Sequence, residues 1–78
     1  MSAYSILRTM PYNEEVMEAD RKYQKEETVQ NELVLEKAKL KYWEEQIKLT
    51  PGDKEIEQRV KYHKAEVERL EKDVKLVQ

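Results

Sequence analysis

The chain has 78 residues, of which 41% are charged and 38% apolar, with one glycine, two prolines and no cysteine. This length allows one domain at most, and the composition is typical of long charged helices rather than of mixed α/β domains. The 15 basic and 17 acidic residues nearly cancel, which argues against a basic nucleic-acid-binding surface and against an acidic DNA mimic. The lack of cysteine excludes disulfides, thiolate nucleophiles and zinc–thiolate sites, and it fits a reducing compartment.

Residues 1–12 are the least charged part of the sequence, and we interpret them as an N-terminal arm. They contain no apolar stretch long enough for a signal peptide, and no later segment approaches a membrane span, so we expect a protein of the bacterial or host-cell cytoplasm. Tyrosine and methionine are favoured at protein interfaces, so the arm is a candidate docking segment. The alternatives are that it folds back over its own chain or is a disordered terminus. Its candidate contact residues are Tyr4, Ile6, Leu7, Met10 and Tyr12.

The segment 13–50 is predicted to form one long helix. Asn13 can cap it, and Glu14 and Glu15 follow where the helix dipole favours negative charge. No proline or glycine interrupts the segment, so the helix is expected to continue to Leu49, over roughly 36 residues and about 54 Å.

Residues 51–53 are predicted to form a turn, and 54–78 a second helix. Pro51 disfavours helical conformation at Thr50. Either Thr50 or Asp53 can cap the second helix.

Both predicted helices carry apolar residues at alternating spacings of three and four, which is typical of a coiled coil. Folding the chain at Pro51 and Gly52 brings the two repeats into register, because paired residue numbers then sum to about 103. We therefore predict an all-α fold: an antiparallel helical hairpin, or two-stranded coiled coil, with a short N-terminal arm. Its seam consists of Val29, Leu33, Glu36, Leu40, Trp43 and Ile47 on one helix and Ile56, Val60, His63, Val67, Leu70 and Val74 on the other, with Val77 continuing the repeat.

Glu36 and His63 are polar residues at seam positions, one layer apart. They form either a pH-responsive or metal-binding pair, or a polar insertion that fixes the register, and the second interpretation is favoured. One histidine and one glutamate are too few ligands for zinc, so we predict no metal and no cofactor. Ser2 and Ser5 lie in the arm, far from His63 in the hairpin. A serine–histidine–acid arrangement is therefore not expected, and we predict that the protein is not an enzyme.

Two apolar surfaces are left uncovered in the predicted hairpin. Residues 13–24 extend past the end of the second helix, and a second stripe lies away from the seam. Uncovered apolar surface often marks an interface, although scattered exposed apolar residues are ordinary. Small scaffolds also often need a second chain, and symmetric dimers are the commonest solution. The first surface carries Val16, Met17, Ala19 and Tyr23, and the stripe comprises Leu35, Ala38, Tyr42 and Leu49 with Tyr62, Ala65 and Leu76.

The leading functional interpretation is a protein–protein interaction module, a small adaptor, assembly or inhibitory protein of the kind found among bacterial and phage accessory proteins. It would self-associate or dock on a larger protein through the arm, Met17, Tyr23, Leu35, Tyr42 and Leu49. The alternative is a weak nucleic-acid-binding accessory protein, because basic and aromatic residues alternate in both helices. Acidic neighbours interrupt this pattern, which comprises Lys37, Lys39, Lys41, Tyr42 and Trp43 with Lys61, Tyr62 and Lys64.

Overall fold

The structure, a computed structural model, describes residues 13–77, except for the side chain of Val77. Within this range the chain is all α, with helices α1 (Glu14–Lys25), α2 (Val29–Leu49) and α3 (Lys54–Val77) and no strand. None of these three helices is long and apolar enough to cross a membrane. The predicted arm, with Tyr4, Ile6, Leu7, Met10 and Tyr12, lies outside the described residues.

The prediction of one continuous helix over 13–50 is wrong, because the chain leaves the helical conformation between α1 and α2. Glu26 is extended, with φ −144° and ψ 104°. Thr28 caps α2, since its Oγ1 accepts a hydrogen bond from the Asn31 backbone N–H at 3.1 Å. The Asn31 side-chain amide in turn donates to the Glu26 carbonyl oxygen at 2.9 Å. Two capping interactions thus stabilise a break that needs neither proline nor glycine.

Because of this break, α1 folds back along α2. At one end of the contact the Lys41 ammonium donates to the Glu15 carboxylate at 3.3 Å. The two helices are antiparallel, since α1 begins opposite the second half of α2. The prediction that residues 13–24 have no partner within the chain is therefore wrong. The α1–α2 cluster consists of the buried residues Val16, Ala19, Leu35 and Ala38, with Tyr23 and Tyr42 packed against it.

Residues 50–53 connect α2 to α3 in a tight turn. Gly52 has a φ of 89°, in the left-handed region that only glycine adopts at little cost. Of the two candidate caps, Asp53 is the one used: its Oδ1 accepts from the backbone N–H groups of Glu55 at 3.0 Å and Ile56 at 3.2 Å. The local sequence therefore determines where α3 begins.

Helices α2 and α3 contact each other along their length. Near the turn, the Arg59 guanidinium lies 5.0 Å from the centre of the Trp43 ring. Farther from the turn, Lys37 Nζ lies 3.5 Å from Glu71 Oε2. The contact thus involves both the part of each helix near the turn and the part farther from it. The residues predicted for the seam at positions 29–47 and 56–74 are all buried or half-buried.

Helix α2 is the central helix of a thin layer. Its residues facing α1 and its residues facing α3 are about 150° apart around the helix, at about 100° per residue. The Cα positions extend over 39 × 31 × 17 Å. Most positions of each helix are exposed or only half-buried, so much of each helix remains accessible.

Candidate interaction groove

The predicted contact residues fall into different environments. Leu35 is buried and Tyr42 and Tyr23 are half-buried, all three within the α1–α2 cluster. The prediction that Leu35 and Tyr42 form an exposed surface is therefore wrong, because α1 covers them. Met17 is half-buried, whereas Leu49 is 76% exposed at the end of α2.

Tyr62 is the exposed apolar residue with the most structured surroundings. It is 61% exposed. It borders an open groove of about 520 Å³, which we call the α3 groove. Residues at spacings of three and four share one side of a helix, so this groove runs along α3 beside the seam. The groove is lined by Glu55, Gln58, Arg59, Tyr62 and His63.

His63 is held in place by a carboxylate on α2. Its Nδ1 lies 2.8 Å from Glu36 Oε1, and the two side chains are only 9% and 12% exposed. Lys39 Nζ lies 3.4 Å from the other Glu36 oxygen. Burial by itself raises the pKa of Glu36, but the His63 hydrogen bond and the Lys39 charge outweigh it and hold this pKa below its usual value. The ionised carboxylate can only accept, so Nδ1 of His63 carries the proton.

The other side chains of the groove also have fixed neighbours. The Arg59 guanidinium, which lies over Trp43, is 3.5 Å from a Glu55 carboxylate oxygen. The Tyr62 ring packs edge-on against the His63 ring, with centroids 5.1 Å apart. Such contacts restrict the rotamers of the free protein, which lowers the entropy that these groups lose when a partner binds.

The geometry supplies little for metal or acid–base chemistry in the described part of the chain. Residues 13–77 contain no group of three or more histidine, cysteine, aspartate or glutamate side chains that could hold a metal ion. The metal-binding interpretation of Glu36 and His63 therefore has no third ligand in this range. A histidine oriented by a carboxylate resembles half of a nucleophilic triad. Both serines of the sequence, Ser2 and Ser5, lie outside the described residues.

Three of the five lysines of the nucleic-acid alternative, those on α2, are paired with acidic side chains. A lysine already paired with a carboxylate must give up that contact to bind a phosphate, although pairs on the surface are weak. Two of the three aromatic residues of this set are also occupied, since Trp43 lies under Arg59 and Tyr42 packs in the α1–α2 cluster. The lysine pairs are Lys37 with Glu71, Lys39 with Glu36 and Lys41 with Glu15, all within 3.5 Å.

Sequence reasoning identified Tyr62 and His63 but missed Arg59 and Gln58 as their neighbours. The signal was present in the predicted register: Arg59 and Trp43 have numbers that sum to 102, close to the predicted value, and Arg59 follows Glu55 by one helical turn.

No protein-family model matches this sequence, and comparisons with curated proteins and with solved structures likewise give no match.

Proposed function

We propose that this protein is a non-enzymatic protein–protein interaction module. In this proposal α2 and α3 form an antiparallel coiled-coil hairpin, and the α3 groove contacts a larger protein or a second copy of the chain. The module would act as an adaptor, assembly factor or inhibitor. The observation that carries the proposal is an exposed Tyr62 beside Arg59 and His63, which are positioned by Trp43 and Glu36.

The residue types of the groove support this function. Tyrosine and arginine are enriched among the residues that contribute most to binding between proteins. An aromatic ring with few rotatable bonds supplies contact area at low entropic cost. Glu55 and Gln58 add a polar rim, which is the usual surrounding of such a residue.

The small apolar core also supports a need for a partner. A thin layer of three helices leaves little stabilisation after the entropy of ordering the chain is subtracted, and association is a common remedy. The buried apolar residues in the described range are Val16, Ala19, Leu35, Ala38, Val67 and Leu70.

The test compares Tyr62→Ala with Lys61→Ala, which removes a neighbouring exposed side chain. Each variant is examined by light scattering up to millimolar concentration and used as bait in the cells that produce the protein, with bound proteins identified by mass spectrometry. Tyr62→Ala should weaken self-association or partner recovery by about tenfold or more, with helicity unchanged. Lys61→Ala should retain both.

The proposal is contradicted if the native chain neither self-associates nor recovers a protein, or if Tyr62→Ala binds as well as Lys61→Ala does. A salt-dependent shift of labelled DNA or RNA would favour the nucleic-acid alternative instead.

A further inference from the structure

The break between α1 and α2 is built from residues that also suit a helix. Glu26, Glu27 and Thr28 include no proline or glycine, and glutamate is a good helix former. The Thr28 backbone N–H donates to the Glu26 carbonyl at 2.9 Å. Because Glu27 does not have a positive φ, this is an inverse γ-turn centred on Glu27. A few local hydrogen bonds and the α1–α2 cluster therefore favour the break over a continuous helix.

If residues 26–28 became helical, α1 and α2 would form one helix of about 54 Å. At about 100° per residue, five apolar residues of this helix fall within one stripe about 100° wide, which also contains Asp20, Glu27 and Lys41. Leu35 and Tyr42 lie about 40–60° outside this stripe, which is a cost of opening. The open-form stripe consists of Val16, Ala19, Tyr23, Val34 and Ala38.

Val34 is the residue that the folded-back arrangement leaves unexplained. It is 52% exposed, although it lies beside α1 and borders an open groove between α1 and α2 together with Ala19 and Ala38. In the continuous helix it lies in the middle of the apolar stripe. Two observations thus motivate a second arrangement: a break without proline or glycine, and an apolar residue that is exposed in the folded-back form.

We propose that two copies of this chain exchange α1, with residues 26–28 helical, to form an antiparallel dimer along the open-form stripe. Within one chain Glu15 pairs with Lys41, and these numbers sum to 56. With the same register between chains, the two-fold axis passes near residue 28. The stripe then faces its own copy, and the Glu15–Lys41 pairs form between chains. Exchange through a short hinge is a route to a symmetric dimer, and here it keeps the Glu15–Lys41 pairs but gives up the contacts of Leu35 and Tyr42 with α1.

Glu27 destabilises this dimer, so a substitution at this position should change the dissociation constant. In the continuous helix Glu27 lies on the stripe close to the two-fold axis, so the carboxylates of the two copies approach each other. Like charges at close distance are unfavourable. The proposal goes beyond the α3 groove and does not depend on it, because Tyr62 is on another helix and outside the stripe.

The test uses two substitutions at one position, Glu27→Ala and Glu27→Pro. Alanine favours a helix and removes the repulsion, so Glu27→Ala should strengthen the dimer. Proline fits the centre of the inverse γ-turn, and the extended Glu26 suits the position before proline, but proline cannot lie inside a helix. The dissociation constants measured by analytical ultracentrifugation should differ by about a hundredfold or more, because both chains of the dimer carry the substitution.

Val34→Asp in the Glu27→Ala background supplies an independent readout. It should return the protein to a monomer that keeps its helicity, whereas Leu76→Asp, at a residue 82% exposed and outside the stripe, should leave the dimer intact. The proposal is overturned if Glu27→Ala and Glu27→Pro have the same oligomeric state, or if Val34→Asp has no effect on the dimer. The α3 groove is tested by Tyr62→Ala and the dimer by the Glu27 and Val34 variants. A failure of the groove proposal therefore does not alter the results expected for the dimer.

Discussion

Replacing His63 with leucine should destabilise the protein, whereas replacing both His63 and Glu36 with leucine should restore most of the stability. The single change removes the hydrogen bond at 2.8 Å and leaves a carboxylate that is only 12% exposed between α2 and α3. A buried charge without its partner costs much more than the pair contributes. The double change removes the charge as well and fills the space with apolar side chains.

The expected magnitude follows from what remains near the carboxylate. Loss of one partner of a buried pair costs about 3–5 kcal/mol. Here Lys39 still lies 3.4 Å from Glu36 and neutralises part of the charge, so we expect a loss of about 2 kcal/mol. For a chain of this size that lowers the melting temperature by about 10 °C. The double variant should lie within about 1 kcal/mol of the native protein.

Urea denaturation followed by circular dichroism measures all the variants, with Glu44→Leu at an exposed position of α2 as the control. The control should change the unfolding free energy by less than about 0.5 kcal/mol. An equal loss of unfolding free energy in His63→Leu and in the double variant would refute the reasoning. The buried Glu36 carboxylate would then not destabilise the protein when its partner is removed.

Acidification tests the same pair through Glu36. Its pKa in the folded protein is below the usual 4.5, because the His63 hydrogen bond and Lys39 outweigh the effect of burial. The carboxylate therefore contributes stability that is fully present above that pH and lost as the pH falls through the lower folded value. The difference in unfolding free energy between the native protein and Glu36→Gln should accordingly narrow as the pH falls from 4.5 through the lower folded pKa. A difference in unfolding free energy that does not change with pH would contradict the lowered pKa of Glu36.

Two further predictions concern packing and the turn. Leu70→Ala should lower the unfolding free energy by about 2–5 kcal/mol, since this side chain is fully buried, whereas Leu76→Ala should cost less than about 0.5 kcal/mol in the same denaturation experiment. Gly52→Ala should cost about 1–2 kcal/mol; an added Cβ meets nothing within 4 Å, so a milder loss with Gly52→Asn would identify the backbone conformation as the cause.

Much of α3 and its contact with α2 follows from local rules in the sequence. The turn needs a residue that tolerates positive φ, and Gly52 is the only glycine in the chain. Asp53 has the right position to accept from the first turn of α3. The 4-3-4-3 repeat then orients His63 and Leu70 toward α2, where both are buried. The turn, the cap and the spacing of apolar residues depend on neighbours a few residues apart, so they can be recognised in the sequence alone.

The fold-back of α1 could not be predicted in the same way. Its local signals are Thr28 and Asn31, a capping pattern without the glutamate or glutamine that usually completes it. Glutamates at 26 and 27 favour a helix, so propensity argued for continuity. What outweighs propensity is the burial of Leu35 by α1, a contact between distant parts of the chain. The uncovered stripe was recognised, but the sequence did not indicate that its cover lay within the same chain.

The adjacent residues Val34 and Leu35 explain why both arrangements are compatible with one sequence. They lie about 100° apart around α2, and each is spaced to share a helical face with Ala38. Folding back at the hinge covers the face that contains Leu35, whereas a continuous helix aligns Val34 with Val16 and Tyr23. The folded-back arrangement and the continuous helix use the same face of α1, so one chain cannot adopt both at the same time. The exposed Val34 of the folded-back chain is thus the surface that opening would cover, and the cost of opening is the partial exposure of Leu35.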